Sequence, residues 1–145
     1  MWLLYNKGLV TKLFRRKWSY DSAIICSLCG MGIEDIKHLI ISCEVSKEVC
    51  YSFGNLVGFS TNFRSIEEMW SNFRIQRKQF GGTPRGKILM ILPHALCWSV
   101  WRERNDCVFR GTKVYVQNIA LRVLSLHCHW CKGLLQMTTE VIEVH

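Results

Sequence analysis

The stretch Cys26-Ser27-Leu28-Cys29-Gly30-Met31-Gly32-Ile33-Glu34-Asp35-Ile36-Lys37-His38-Leu39-Ile40-Ile41-Ser42-Cys43 has the form C-x2-C-x8-H-x4-C. A C-x2-C turn places two sulfurs at adjacent corners of a tetrahedron, because the backbone between them folds into a knuckle whose amides point at thiolate. Gly30 and Gly32 follow at once and supply the torsions that a return of the chain needs. His38 and Cys43 stand at the two ends of an apolar piece, Leu39-Ile40-Ile41-Ser42, which is expected to pack behind a metal. Three sulfurs and one imidazole fill all four vertices and leave none for a water. Cys26, Cys29, His38 and Cys43 are therefore expected to form a closed, structural zinc site, whose binding free energy, about 10–16 kcal/mol in zinc-finger peptides, appears as folding free energy. The competing reading is four unliganded side chains in a reduced core. The spacing, the glycines and the histidine together weigh against it.

The charge changes sign around this stretch. Residues 1–20 carry Lys7, Lys12, Arg15, Arg16 and Lys17 and no acid, whereas residues 21–63 carry two bases and five acids, a net −3. Residues 64–87 return to +4 through Arg64, Arg74, Arg77, Lys78, Arg85 and Lys87 against Glu67 and Glu68. The basic surface thus flanks the cysteines. Eight cysteines in 145 residues would suit a secreted disulfide scaffold if an export signal were present. The opening Met1-Trp2-Leu3-Leu4-Tyr5 is interrupted by Asn6 and Lys7, and the longest apolar run, Ile88 to Trp101, has 14 residues and contains Pro93 and His94. Neither fits a signal segment or a membrane span, so an intracellular protein, nuclear or cytoplasmic, is expected.

Most of the remaining chain has helical spacing, and strand alternation is confined to Ala23–Cys26. Thr11 is placed as N-cap of a short helix to Lys17, after a turn or two at residues 2–7. Ser65 and Glu68 form a Ser-x-x-Glu capping box ahead of a helix over 66–80, with Ile66, Met69, Trp70 and Phe73 on one face. Thr83 and Pro84 open a longer helix to about Phe109, which Pro93 is expected to kink or split. A last helix is expected from about Tyr115 to Leu135, with Ile119, Val123, Leu126 and Trp130 at helical spacing. Breaks are placed at Gly30–Gly32, Gly54–Thr61, Gly81-Gly82 and Gly111. The expected class is mainly α: a small Cys3His zinc knuckle followed by a bundle of amphipathic helices. Residues 1–63 hold the knuckle and a basic N-terminal helix, and residues 64–145 hold the helical region.

An ordered string of residues resembles a known family. Trp2 precedes Leu9-Val10-Thr11-Lys12-Leu13 and Arg15-Arg16, then come Cys26-x2-Cys29, the acidic Glu34, His38-Leu39 and Cys43. Further on stands Cys97-Trp98-Ser99-Val100-Trp101-Arg102-Glu103-Arg104-Asn105, with the form W-x-x-W-x-x-R-N. The chain resembles, over roughly residues 2–110, the zinc-binding region that follows the reverse transcriptase domain in plant non-LTR, LINE-type retrotransposons. Cys50 stands where members commonly carry a tryptophan. The resemblance implies a zinc-dependent accessory domain that helps an element's protein engage nucleic acid, with Cys26, Cys29, His38 and Cys43 as ligands.

Two functions compete. In the first, a nucleic-acid-binding module, Arg15, Arg16, Lys17, Arg74, Arg77 and Lys78 contact phosphates while aromatic rings stack on unpaired bases of RNA or DNA. The acidic knuckle, with a further −1 from zinc and three thiolates, repels phosphate, so the flanks would bind and zinc would position them. The bland reading of each basic cluster is a solvated helix face. In the second, a domesticated interaction or regulatory module, the aromatic helices meet a protein partner or a second copy. An enzyme is the class supported least, because Glu34 with Asp35 and Glu67 with Glu68 read as surface pairs or helix-start residues, not as a magnesium site. His94 reads as a partly buried, hydrogen-bonded histidine. His127, Cys128 and Cys131 share a helix face that would hold a second metal only with ligands from elsewhere, such as Cys97 or Cys107; Trp98 and Trp101 read as core.

Overall fold

The computed structural model describes residues 9–16, 24–58 and 60–143. The elements are a short helix α1 (Lys12–Arg16), a π-helical turn (His38–Ser42), and helices α2 (Glu44–Val57), α3 (Ile66–Phe80), α4 (Pro84–Arg110) and α5 (Val116–Glu143). The described residues contain no strand, only one antiparallel bridge between Ile25 and Ile33. The expected extended piece is this bridge; Ala23 lies outside the described residues, as do residues 2–7 and Lys17. No helix among the described residues is long and apolar enough to cross a membrane.

Side-chain caps set the helix starts. Thr11 Oγ1 accepts from the Phe14 amide at 3.3 Å at the head of α1. Ser65 accepts from the Glu68 amide at 3.0 Å, while the Glu68 carboxylate turns back to the Arg64 amide at 2.7 Å, one residue before the position a standard capping box uses. Thr83 accepts from the Gly86 amide at 3.2 Å, with Pro84 at the first helical position. The turn between α3 and α4 is tight enough that a Cβ at Gly86 would collide with the Gly81 carbonyl.

α4 lies at the centre and packs against α3, α5, α2 and the π turn. Leu89, Ile91, Leu92, Ala95, Leu96, Cys97 and Val100 are buried, more than one face of a helix, as a central helix requires. Pro93 is buried inside α4, and the helix runs unbroken from Pro84 to Arg110. Of the kink or split expected there, the split does not occur: neighbours on several sides hold the helix across the missing donor.

Two helices differ from the expectation. α2 was expected to be partly a break at Gly54–Thr61. Instead it passes through Gly54 and ends at Gly58, whose φ of 67° gives the left-handed cap. Val49 and Phe53 on its inner face reach the core, and that burial outweighs the roughly 1 kcal/mol a mid-helix glycine costs. α5 starts at Val116 and continues to Glu143, beyond the expected end near Leu135. Ile119 and Val123 are fully buried, with Leu126 and Trp130 packed beside them. One core runs from Cys26, Leu28, Leu39–Ile41 and Cys43 through Val49 and Phe53 to Met69, Phe73, the inner face of α4 and Val123. Trp101 packs against it, but Trp98, expected in the core, is 45% exposed.

Candidate metal centre

The bridge between Ile25 and Ile33 brings the two ends of the knuckle together. Cys26 N–H donates to Gly32 O at 3.0 Å, Gly30 N–H to Cys26 O at 3.0 Å, and Glu34 N–H to Ile24 O at 2.8 Å. Gly30 and Gly32, at φ 69° and 70°, occupy the left-handed region that only glycine enters freely. Gly32 has a second constraint, since a Cβ there would lie 2.9 Å from Cε1 of His38.

The x4 spacing between His38 and Cys43 has a structural cause. Asp35 Oδ1 accepts from the His38 amide at 2.6 Å, and Cys43 N–H donates to His38 O at 2.6 Å, the i to i+5 bond of a π turn. That wide turn returns Cys43 to the side of His38, while Leu39, Ile40 and Ile41 are buried behind them. Ser46 Oγ locks the turn by donating to Leu39 O at 2.6 Å.

The four side chains converge. One ligand atom from each of Cys26, Cys29, His38 and Cys43 lies within 4.8 Å of all the others. Zn–S bonds of about 2.3 Å and Zn–N bonds of about 2.0–2.1 Å in a tetrahedron require sulfur–sulfur edges of about 3.8 Å and sulfur–nitrogen edges of about 3.5 Å. Cys26 Sγ to Cys43 Sγ is 3.9 Å, and Cys29 Sγ to His38 Nε2 is 3.4 Å. The donor set and its spacing fit zinc, and the site can hold it with no vertex left for substrate.

Electrostatics agree. The hydrogen bond from Cys43, assisted by the amides of Leu28 and Cys29, draws the Cys26 thiol down to about 5 against the opposing effect of burial. Cys43, sharing its proton with that thiolate and buried, is pushed far up. A second buried thiolate is thus unfavourable beside the first until a dication compensates both, which is why metal binding in such sites releases protons.

Glu34 overturns the reading of the acids. It was expected as half of a surface pair with Asp35, yet its side chain is fully buried. Oε1 accepts from Arg104 Nε at 2.9 Å, from Arg104 Nη2 at 2.6 Å and from the Lys12 amide at 3.0 Å; Oε2 accepts from the Ser27 amide at 3.0 Å. Burial pushes the carboxyl up, but Arg104 and the two amides outweigh it and hold it below its ordinary range. Arg104, itself 1% exposed, also donates to Asn105 Oδ1 at 3.0 Å and lies 5.1 Å from the Trp101 ring centre. One carboxylate therefore joins α1, the interior of the C-x2-C turn and the W-x-x-W-x-x-R-N segment of α4. Asp35, by contrast, is a helix-start residue as expected.

The other predicted residues are dispersed. Arg15 and Arg16 lie on α1, and Lys17 is outside the described residues. Arg74, Arg77 and Lys78 are exposed on one face of α3, remote in sequence from α1. His94 is half-buried, 3.1 Å from Met90 O through Nδ1, and burial holds its pKa below the ordinary value. His127 and Cys131 approach to 3.7 Å, but Cys128 is exposed, and among the described residues the knuckle is the one group of three or more suitable ligands. Cys97 is buried and Cys50 is pushed up to about 11 by burial, as expected of sulfur used in packing.

No curated protein and no solved structure matches the chain. Residues 1–49, which contain all four ligands and Glu34, match the family described as zinc-binding in reverse transcriptase, and the Cys3His cluster, which could hold zinc, lies within that matched third of the chain.

Proposed function

We propose that the chain is a non-enzymatic, intracellular accessory module, nuclear or cytoplasmic, in which zinc bound by Cys26, Cys29, His38 and Cys43 fixes a scaffold whose basic flanks bind RNA or DNA. The observation that carries this reading is the position of Arg74, Arg77 and Lys78. They are exposed at i, i+3 and i+4 on α3, and no carboxylate within ion-pair distance is found for them among the described residues. Arg15, Arg16 and Lys17 supply the second flank. In this reading residues 1–63 act as the metal-organised half and residues 64–145 as the half that presents α3, with Glu34 and Arg104 joining them. Zinc would act in folding, not in chemistry, because the protein fills its coordination sphere.

The test is the salt dependence of binding to single-stranded RNA. Three phosphate contacts predict a slope of log affinity against log salt of about −2, and six predict about −4. A flat response would remove phosphate contact from the account.

A second reading is favoured by a different observation. Leu121 is 64% and Leu124 43% exposed, and with Cys128 they lie on one side of α5. That apolar strip supports a protein-interaction or regulatory role without nucleic-acid affinity. Dimerisation in light scattering, together with no binding to RNA or DNA at low salt, would favour this reading.

A further inference from the structure

Trp70, Arg74 and Arg77 follow one another at i, i+4 and i+7 on α3, and opposite them Met90 and His94 stand one turn apart on α4. Between the two helices these five residues line a cavity of about 150 Å³. Buried Phe73 and Leu89 line it too and give it an apolar floor. The Trp70 and His94 rings lie 5.0 Å apart at 56°, so one wall is aromatic. Arg74 and Arg77 are exposed and supply positive charge at the edge.

We propose that this cleft receives one unpaired nucleobase of a single-stranded RNA or DNA, while Arg74 and Arg77 hold the phosphates on either side of it. The inference rests on the nucleic-acid reading above and narrows it to unpaired strands. Size favours a single flat ring system. Clefts that bury drug-sized ligands measure roughly 300–1,000 Å³, and this one is well below that range. Chemistry favours a base over a purely apolar ring. Met90 O can only accept, so the His94 Nδ1 contact at 3.1 Å makes Nδ1 the donor. Nε2 of the neutral ring is then an acceptor, complementary to an exocyclic amino group, and burial favours that neutral form. The charge pattern favours a polyanion: aromatic walls with arginines at the rim recur where single strands are bound, the rings stacking on bases and the cations following the backbone. A duplex keeps its bases paired and stacked, and cannot fill the cleft without extruding one.

The experiment uses the full zinc-loaded chain and fluorescence anisotropy with short labelled oligonucleotides. Five ligands are compared at one salt concentration: single-stranded RNA, single-stranded DNA, a duplex, and a single strand of each sugar in which every base is replaced by an abasic site. Abasic strands keep every phosphate. Intact single strands should bind about tenfold more tightly than abasic ones, the worth of about one stacked base. That preference in either sugar series supports the pocket, and the series in which it appears names the strand. Trp70→Leu should lose the same tenfold on intact strands and leave abasic binding nearly unchanged. If Trp70→Leu fails to fold by circular dichroism, the intact-versus-abasic comparison on the native chain decides alone. Equal affinity for intact and abasic strands, or duplex bound as tightly as single strand, overturns the pocket while leaving phosphate contact standing. No binding to any oligonucleotide at low salt overturns both.

Discussion

Arg104→Met removes the cation that faces Glu34 and leaves the Lys12 and Ser27 amides on that carboxylate. Methionine retains much of the volume and the packing on Trp101. What is lost is two hydrogen bonds and an ion pair to Glu34, between side chains that are 1% and 0% exposed, together with the hydrogen bond to Asn105 Oδ1. Breaking a buried pair by removing one partner costs about 3–5 kcal/mol, because the remaining charge stays buried without compensation. Total stability of a domain is about 5–15 kcal/mol, so a fifth or more is at stake. With a urea slope of about 2 kcal/mol/M, the midpoint should fall by about 2 M. Glu44→Gln is the control, since the Glu44–Lys47 pair at 2.9 Å is largely exposed and should move stability by less than about 1 kcal/mol. Glu34→Leu/Arg104→Met should recover only part of the loss. It removes the stranded charge but orphans the Lys12 and Ser27 amides, each worth about 1–3 kcal/mol when buried and unpaired. Zinc affinity of Arg104→Met, from chelator competition, should fall about tenfold, as when supporting contacts of a metal site are cut. If Arg104→Met unfolds within 1 kcal/mol of the native chain, as the Glu44 control should, the reasoning that Glu34 links knuckle to helix is refuted.

Other expectations follow from the same geometry. Gly32→Ala should weaken zinc binding more than Gly30→Ala: both carry about 1–2 kcal/mol of left-handed strain, but only the former drives a methyl to 2.9 Å from His38 Cε1. Equal losses in chelator competition would contradict this. Gly86→Ala should destabilise by about 1–3 kcal/mol through the clash with the Gly81 carbonyl, visible as a lowered thermal midpoint with zinc stoichiometry unchanged. For His94 the folded pKa is depressed by burial, so its contribution is present above the unfolded value of about 6.5 and is lost as pH falls through the folded value. His94→Gln should therefore flatten the decline of urea stability below neutral pH, and an unchanged slope would count against a buried, neutral imidazole.

Much of the site was legible in sequence because its constraints are local. The knuckle spacing and glycines, the Ser65 and Thr83 caps and Pro84 each act within a few residues, and each is where the sequence placed it. α2 was not legible: Gly54 looks like a stop, and only the burial of Val49 and Phe53 against distant helices carries the chain on to Gly58. Pro93 looks like a break for the same reason, since its neighbours in space are invisible along the chain. Glu34 was misread because its partner is 70 positions away. A signal did exist: an acid inside the ligand loop and an arginine in W-x-x-W-x-x-R-N belong to the two halves of the resemblance, and complementary charges in two such segments invite pairing. Trp98 and Trp101 show the opposite limit, as identical residues three apart differ because α4 turns one toward solvent and the other toward Arg104.

Zinc K-edge X-ray absorption on the purified chain tests the central claim most directly. The account predicts one tetrahedral zinc with three sulfurs at about 2.3 Å and one nitrogen at about 2.0–2.1 Å. A sphere with a different sulfur count, a bound water oxygen, or no zinc at all would contradict it.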